Sequence, residues 1–169
     1  MALSMFQASV PVCTQMLGSL SAVIDKAAAH CAAKKLEEAT LLQDRLFPDM
    51  FTLARQIRQA SDFGRNTPGR LAGVELPNFA ATDDTSFADA KARVEKSLDF
   101  VKGLTPAQID GTEDKDISWT AGQRQMSFKG RAYLLHFCLP NFYFHCTTAY
   151  NILRHRGVEL GKRDFLGSF

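Results

Sequence analysis

The sequence contains no run of five or more basic residues, and no stretch approaches the roughly eighteen uninterrupted apolar residues that a membrane-crossing helix needs. The first absence argues against a nucleic-acid surface: a phosphate backbone is met by clustered cations, whereas here 20 basic and 18 acidic residues are interleaved to a net charge of +2. The second argues against a membrane span. The segment Met1 to Pro11 has no Lys or Arg ahead of its apolar residues, and Gln7 and Ser9 interrupt any signal-peptide core, so export is not expected. The four cysteines, Cys13, Cys31, Cys138 and Cys146, form no CxxC. That removes the zinc-knuckle and thioredoxin-type readings and leaves reduced thiols in the cytoplasm as the expectation. What remains is an ordinary globular composition, 46% hydrophobic and 22% charged over 169 residues, enough for one domain spanning 1–169 with one packed core.

Helical periodicity dominates the chain. From Ser4, a candidate N-cap, to about Ala33, the residues Val10, Cys13, Leu17, Leu20, Val23 and Ile24 recur at helical spacing. Pro11 predicts a kink in that helix or a start at Pro11 itself. A short helical turn over Glu37 to Gln43 follows. The second long helix is expected to open at Asp49, with Met50, Leu53, Ala54, Ile57, Ala60 and Ser61 on one face, and to end near Gly73. After a connecting loop over Val74 to Thr85, Ser86 caps a third helix whose buried stripe is Phe87, Ala90, Val94, Leu98 and Val101. A short turn covers Pro106 to Asp110.

The segments Asp116 to Thr120 and Gln123 to Phe128 read as a β-hairpin turning at Gly122. That register sets Ile117 opposite Met126 and Trp119 opposite Arg124, with Arg124 stacked on the indole. A lone hairpin is marginal in water, so its apolar face must lie on helices. The chain closes with Arg131 to Cys138 and Pro140 to Arg156, read as one helix interrupted at Leu139-Pro140 and ended by Gly157.

On the last helix Phe142, Ala149 and Ile152 fall within about 60° of His145, which points the imidazole into the bundle. Asn141 stands one turn earlier on the same face, the spacing that two ligands on one helix require. A core histidine hydrogen-bonded to a polar neighbour is the plainer account of the same pattern. Cys146 adjoins His145, but neighbouring helical residues diverge by about 100°, so the two do not make a nucleophile and base. Cys138 shares the face of His145 at about 10 Å along the axis. His30 and His155 sit at helix ends where cations suit the dipole, and His136 reads as a surface residue.

The run from His145 to Val158 resembles the last helix of the DinB/YfiT-like superfamily, whose members carry an HxxxH motif ahead of a helix ending in a Gly-Val turn. In that resemblance the second histidine falls on His145 and the first on Asn141. The third family histidine lies early in the second helix, and Leu53-Ala54-Arg55-Gln56-Ile57 matches its context with Gln56 in the histidine's place. The opening Met5 to Pro11, the segment Pro140 to His145 and the tail Gly161 to Gly167 are similar to an uncharacterised bacterial subfamily of that superfamily. The resemblance implies an all-α, up-and-down DinB-like four-helix bundle with the hairpin inserted before the last helix.

Relatives with all three histidines bind a divalent metal, and some act as thiol S-transferases or hydrolases. Gln56 and Asn141 offer neutral oxygens in place of imidazole, a poor set for zinc or nickel. Three readings therefore stand. One is a catalytically degenerate bundle with a small polar pocket at Gln56, Asn141 and His145 that takes a small-molecule ligand and no cofactor. The second is an enzyme using a divalent metal on His145 with substituted ligands. The third is a dimeric interaction module built on Phe142, Tyr143, Phe144, Tyr150 and Phe165. A homodimer is expected, a common arrangement among the proteins this chain resembles and in keeping with its 13 phenylalanines. The tail Phe165 to Phe169 folds onto its own bundle or onto a partner, and the sequence does not choose.

Overall fold

The computed structural model describes residues 3–168. Met1, Ala2 and Phe169, which the readings of the amino terminus and of the tail touched, lie outside them. Four long helices, α1 (Val10–Lys34), α3 (Leu53–Ala72), α4 (Phe87–Lys102) and α7 (Leu139–His155), make a bundle, as the periodicity required. Short helices α2 (Glu38–Leu42), α5 (Pro106–Ile109), α6 (Gly130–Ala132) and α8 (Lys162–Leu166) join or flank them, and strands β1 (Asp116–Ala121) and β2 (Arg124–Lys129) form the hairpin ahead of α6. Helix α1 packs on α4, and α3 packs on both α4 and α7. Their apolar stripes meet in one core that includes Leu17, Ile24, Ile57, Val94, Phe142 and Ile152. Among the described residues no helix is long and apolar enough to cross a membrane.

Local chemistry sets most boundaries. Ser86 caps α4 by accepting from the Asp89 N–H at 3.1 Å, and Gly73 ends α3 in the left-handed region at φ 71°. Two expected starts move. Ser4 does not cap α1: residues 5–9 form a turn, and the helix begins at Val10 with Pro11 in its first turn, where the missing N–H costs nothing. Asp49 and Met50 lie before α3, which Thr52 caps by accepting from the Arg55 N–H at 3.3 Å.

The hairpin keeps its faces but changes register. Ile117 pairs with Phe128, Trp119 with Met126 and Ala121 with Arg124, because the two turn residues are Gly122 and Gln123. Gly122 alone carries a positive φ, 61°, as a type II′ turn demands of its first central residue. Arg124 is thus moved off Trp119, and the cation over the indole is Arg70 of α3, 4.5 Å from the ring centroid. The slip is even, so Ile117, Trp119 and Phe128 still face the helices.

The last helix is not interrupted at Leu139-Pro140. Residues Tyr133–Cys138 form a π-helical turn that runs directly into α7, with the Leu139 N–H reaching back to the Leu134 carbonyl. The wider register accommodates Pro140, which has no N–H to donate and whose ring would crowd an α-helical carbonyl. Asn141 Nδ2 donates to the Phe137 carbonyl at 2.7 Å, so a side chain serves the backbone where the register changes.

Within the described residues the tail lies on its own bundle. Helix α8 lies along α1, where Gln15 Nε2 donates to the Leu166 carbonyl at 2.8 Å and Lys26 pairs with Asp164 at 2.7 Å. Phe165 meets Tyr150 edge-on at 5.8 Å between centroids. With Phe142 buried in the core and these two rings paired in cis, Tyr143 and Phe144 are the members of the aromatic set that remain exposed.

Candidate functional site

Gln56 and His145 meet between α3 and α7. Gln56 is in the first turn of α3, on the stripe that packs against α7, and His145 lies on the inward stripe of α7 with Phe142, Ala149 and Ile152. Gln56 Oε1 and His145 Nδ1 are 2.7 Å apart. An amide oxygen only accepts, so Nδ1 carries the proton and Nε2 holds the free lone pair. Burial, leaving His145 6% exposed, pushes its pKa down from 6.5 to about 4, because little solvent is left to stabilise an imidazolium. The imidazole is neutral at physiological pH.

An aromatic collar surrounds the pair. Phe63 of α3 stacks on the imidazole at 5.6 Å between centroids, and Phe51, just ahead of the α3 cap, lies parallel to it within 7° at 6.3 Å. Phe144 meets it edge-on at 5.4 Å. Arg55 lies 3.9 Å over the Phe51 ring and fixes that side chain from outside. Phe63 continues through Phe137 into Trp119, Phe128 and Tyr133, so the collar joins the layer of rings that seats the hairpin.

Asn141 does not join the pair. It stands one turn before His145 as expected, but its amide is spent on the Phe137 carbonyl. The sequence reading missed Phe51, Phe63 and Phe144 as neighbours of His145. Phe63 was within reach, since it lies two turns after Gln56 on the same face; Phe51 was not, because its position depends on how the chain enters α3.

The divalent metal that the fold implies does not fit these residues. Gln56 Oε1 is engaged by the Nδ1 proton, on the side of the ring away from Nε2, so carboxamide and imidazole cannot converge on one ion without breaking their hydrogen bond. Among the described residues no group of three His, Cys, Asp or Glu side chains is arranged to hold a metal.

The thiols offer no activated nucleophile. All four are unbridged and buried. Burial raises Cys13 and Cys146 well above the ordinary thiol range and Cys138 to about 11. His136 and His155 are exposed and His30 is half-buried. Clefts of about 580 Å³, beside Phe79 and Arg93, and about 500 Å³, beside His30 and Gly157, lie away from His145.

Comparison with known proteins agrees with this architecture. The family model described as a domain of unknown function, DUF1993, matches residues 5–166. A solved structure described as a DinB family member protein from Shewanella denitrificans superposes with a TM-score of 0.88 at 34% sequence identity, over 97% of this chain and 92% of that one. No curated protein matches the chain.

Proposed function

The chain belongs to the DUF1993 family of DinB-like bundles, and from that membership and the site geometry we propose that it is a non-catalytic, ligand-binding member of the fold. The observation that carries the reading is the 2.7 Å hydrogen bond between Gln56 and His145. It occupies one nitrogen of the imidazole and leaves the other with its lone pair. A histidine held near a pKa of 4 is also a weak proton acceptor at neutral pH, which suits ligand recognition better than acid–base catalysis. Four unbridged cysteines support a cytoplasmic setting, and a bacterial relative supports a bacterial one.

The competing reading is the metal-dependent enzyme. Elemental analysis of protein purified without a histidine tag separates the two. Less than a tenth of an equivalent of zinc or nickel is expected, whereas one equivalent that disappears in His145→Ala overturns the proposal. The paired change Gln56→His with Asn141→His then serves as the positive control, since it supplies the two missing imidazoles.

A second reading, a homodimer, is favoured by one feature of the surface. Leu46, Phe47, Phe51 and Phe144 are all exposed, and the last two border the His145 site. A partner subunit seated there would cover the collar.

A further inference from the structure

We propose that α8 is a strap that opens and recloses over Cys146 while the rest of the bundle stays folded. Cys146 lies on α7 at 3% exposure and borders a small void that Phe165 of α8 walls off, together with Ser19, Val23 and Tyr150. The void measures about 10 Å³, room for no more than a single water. Phe165 therefore closes the space without filling it, and the atoms lining the gap forfeit part of their dispersion contact. Lifting α8 takes that wall away.

The hold on α8 is light. None of its residues is buried, whereas Val158 and Leu160, just ahead of it, are 1% and 5% exposed and anchor the chain to the bundle. Apart from the edge contact of Phe165 with Tyr150, the ties are polar. The Ser19 hydroxyl lies 2.5 Å from the Asp164 carbonyl and 2.7 Å from that of Phe165, Gln15 Nε2 donates to the Leu166 carbonyl, and Lys26 meets Asp164 at the surface. One hydroxyl proton is shared between two carbonyls, and on release it can turn to a carbonyl one turn back on its own helix. Water replaces the other ties, and an ion pair whose lysine is half exposed adds little. The Gly161 N–H donates to the Asp164 carboxylate at 2.7 Å, a contact inside the segment that does not resist its release. Elements with few buried apolar groups and polar ties that water can replace are the first to open in a folded protein.

Opening changes what Cys146 can do. Burial raises its thiol well above the ordinary range and keeps it protonated, so the closed strap holds it inert. With α8 lifted, water reaches the sulfur and the thiolate becomes accessible. Cys13 is the contrast, since it is fully buried in the core, does not border that void and is exposed only when the long helices part.

The test follows the intact chain with dithiodipyridine, assigning each adduct to its cysteine by peptide mass spectrometry. The thiol gives its proton to water, its sulfur bonds to one sulfur of the reagent, and the reagent's S–S bond breaks to release one thiopyridone. Cys146 is expected to label about tenfold or more faster than Cys13, with a urea dependence less than about a third as steep, because opening α8 exposes little surface. Ser19→Ala loosens the strap and is expected to speed Cys146 several-fold. Asp84→Ala weakens the bundle away from α8; it is expected to speed Cys13 about a hundredfold and leave Cys146 unchanged. Equal rates with equal urea slopes at the two cysteines overturn the proposal, because global unfolding then exposes both. A Cys146 rate unaffected by Ser19→Ala overturns it equally, since the reagent then reaches the thiol without release of α8. The wild-type slopes decide the matter even if Asp84→Ala does not fold, and Gln15→Ala can stand in for Ser19→Ala.

Discussion

Acid is expected to destabilise this protein through His145 before it acts through most of the carboxylates. Above pH 6.5 neither the folded nor the unfolded chain protonates this imidazole. Between 6.5 and about 4 the unfolded chain takes up a proton that the folded one refuses, so stability falls as the pH falls. Each pH unit in that window costs about 1.4 kcal/mol, and the full window about 3 kcal/mol, a substantial part of the roughly 5–15 kcal/mol that holds a domain together. Below about 4 both states are protonated and the effect stops growing. His145→Gln keeps a donor facing Gln56 and cannot titrate.

Urea titrations followed by the fluorescence of Trp119, the lone tryptophan, packed on Tyr133 and Phe137, report unfolding in both proteins. From pH 7 down to about pH 4.5 the wild-type chain should lose about 2.5 kcal/mol more than His145→Gln. The other three histidines and all the carboxylates are common to both proteins and cancel in the difference. Parallel stability curves, within about 0.5 kcal/mol across that range, would refute the claim that the imidazole is buried and neutral.

Three further outcomes can be checked by thermal or chemical denaturation. Gly130→Ala should cost about 2–3 kcal/mol, because a Cβ there collides with the Thr112 carbonyl, a backbone atom in the loop that binds the Gly130 N–H through Lys115; a change below about 0.5 kcal/mol would contradict the close approach. Asp84→Ala should cost about 3 kcal/mol in urea titrations, since it strands the buried Arg93 guanidinium that Asp84 holds at 2.7 Å; an unchanged midpoint would show that the pair is solvated. Removing the chain from Lys162 onward should lower the Tm by about 3–6 °C through lost contacts to α1 while leaving the oligomeric state unchanged, because the tail packs in cis. Light scattering should give a dimer for both forms: a monomeric intact chain refutes the dimer, and a dimer that dissociates on truncation refutes the cis tail.

What the sequence determined by itself is whatever depends on neighbours along the chain. The stripes of α1, α3, α4 and α7, the Ser86 cap and the glycines that close α3 and α7 rest on periodicity and on one residue's own conformation, and they were legible without a fold. Single positions were already less certain. Asp49 and Thr52 are both good caps, and the choice between them fell to which one met a free N–H once α3 had docked. The hairpin's existence was local, but its register depended on which residue beside Gly122 completed the turn against the bundle.

Gln56 and His145 illustrate the division most clearly. Their faces follow from helical spacing, and their pairing was implied by resemblance alone, since 89 residues separate them in sequence. Only the packing of α3 against α7 brings amide and imidazole to 2.7 Å, and only in the folded chain, where Phe51, Phe63 and Phe144 gather round it from three separate places, is the imidazole buried enough to lower its pKa from 6.5 to about 4. Solvent exclusion is a property of every atom around a group at once. A sequence read residue by residue does not contain it until the chain has closed on itself.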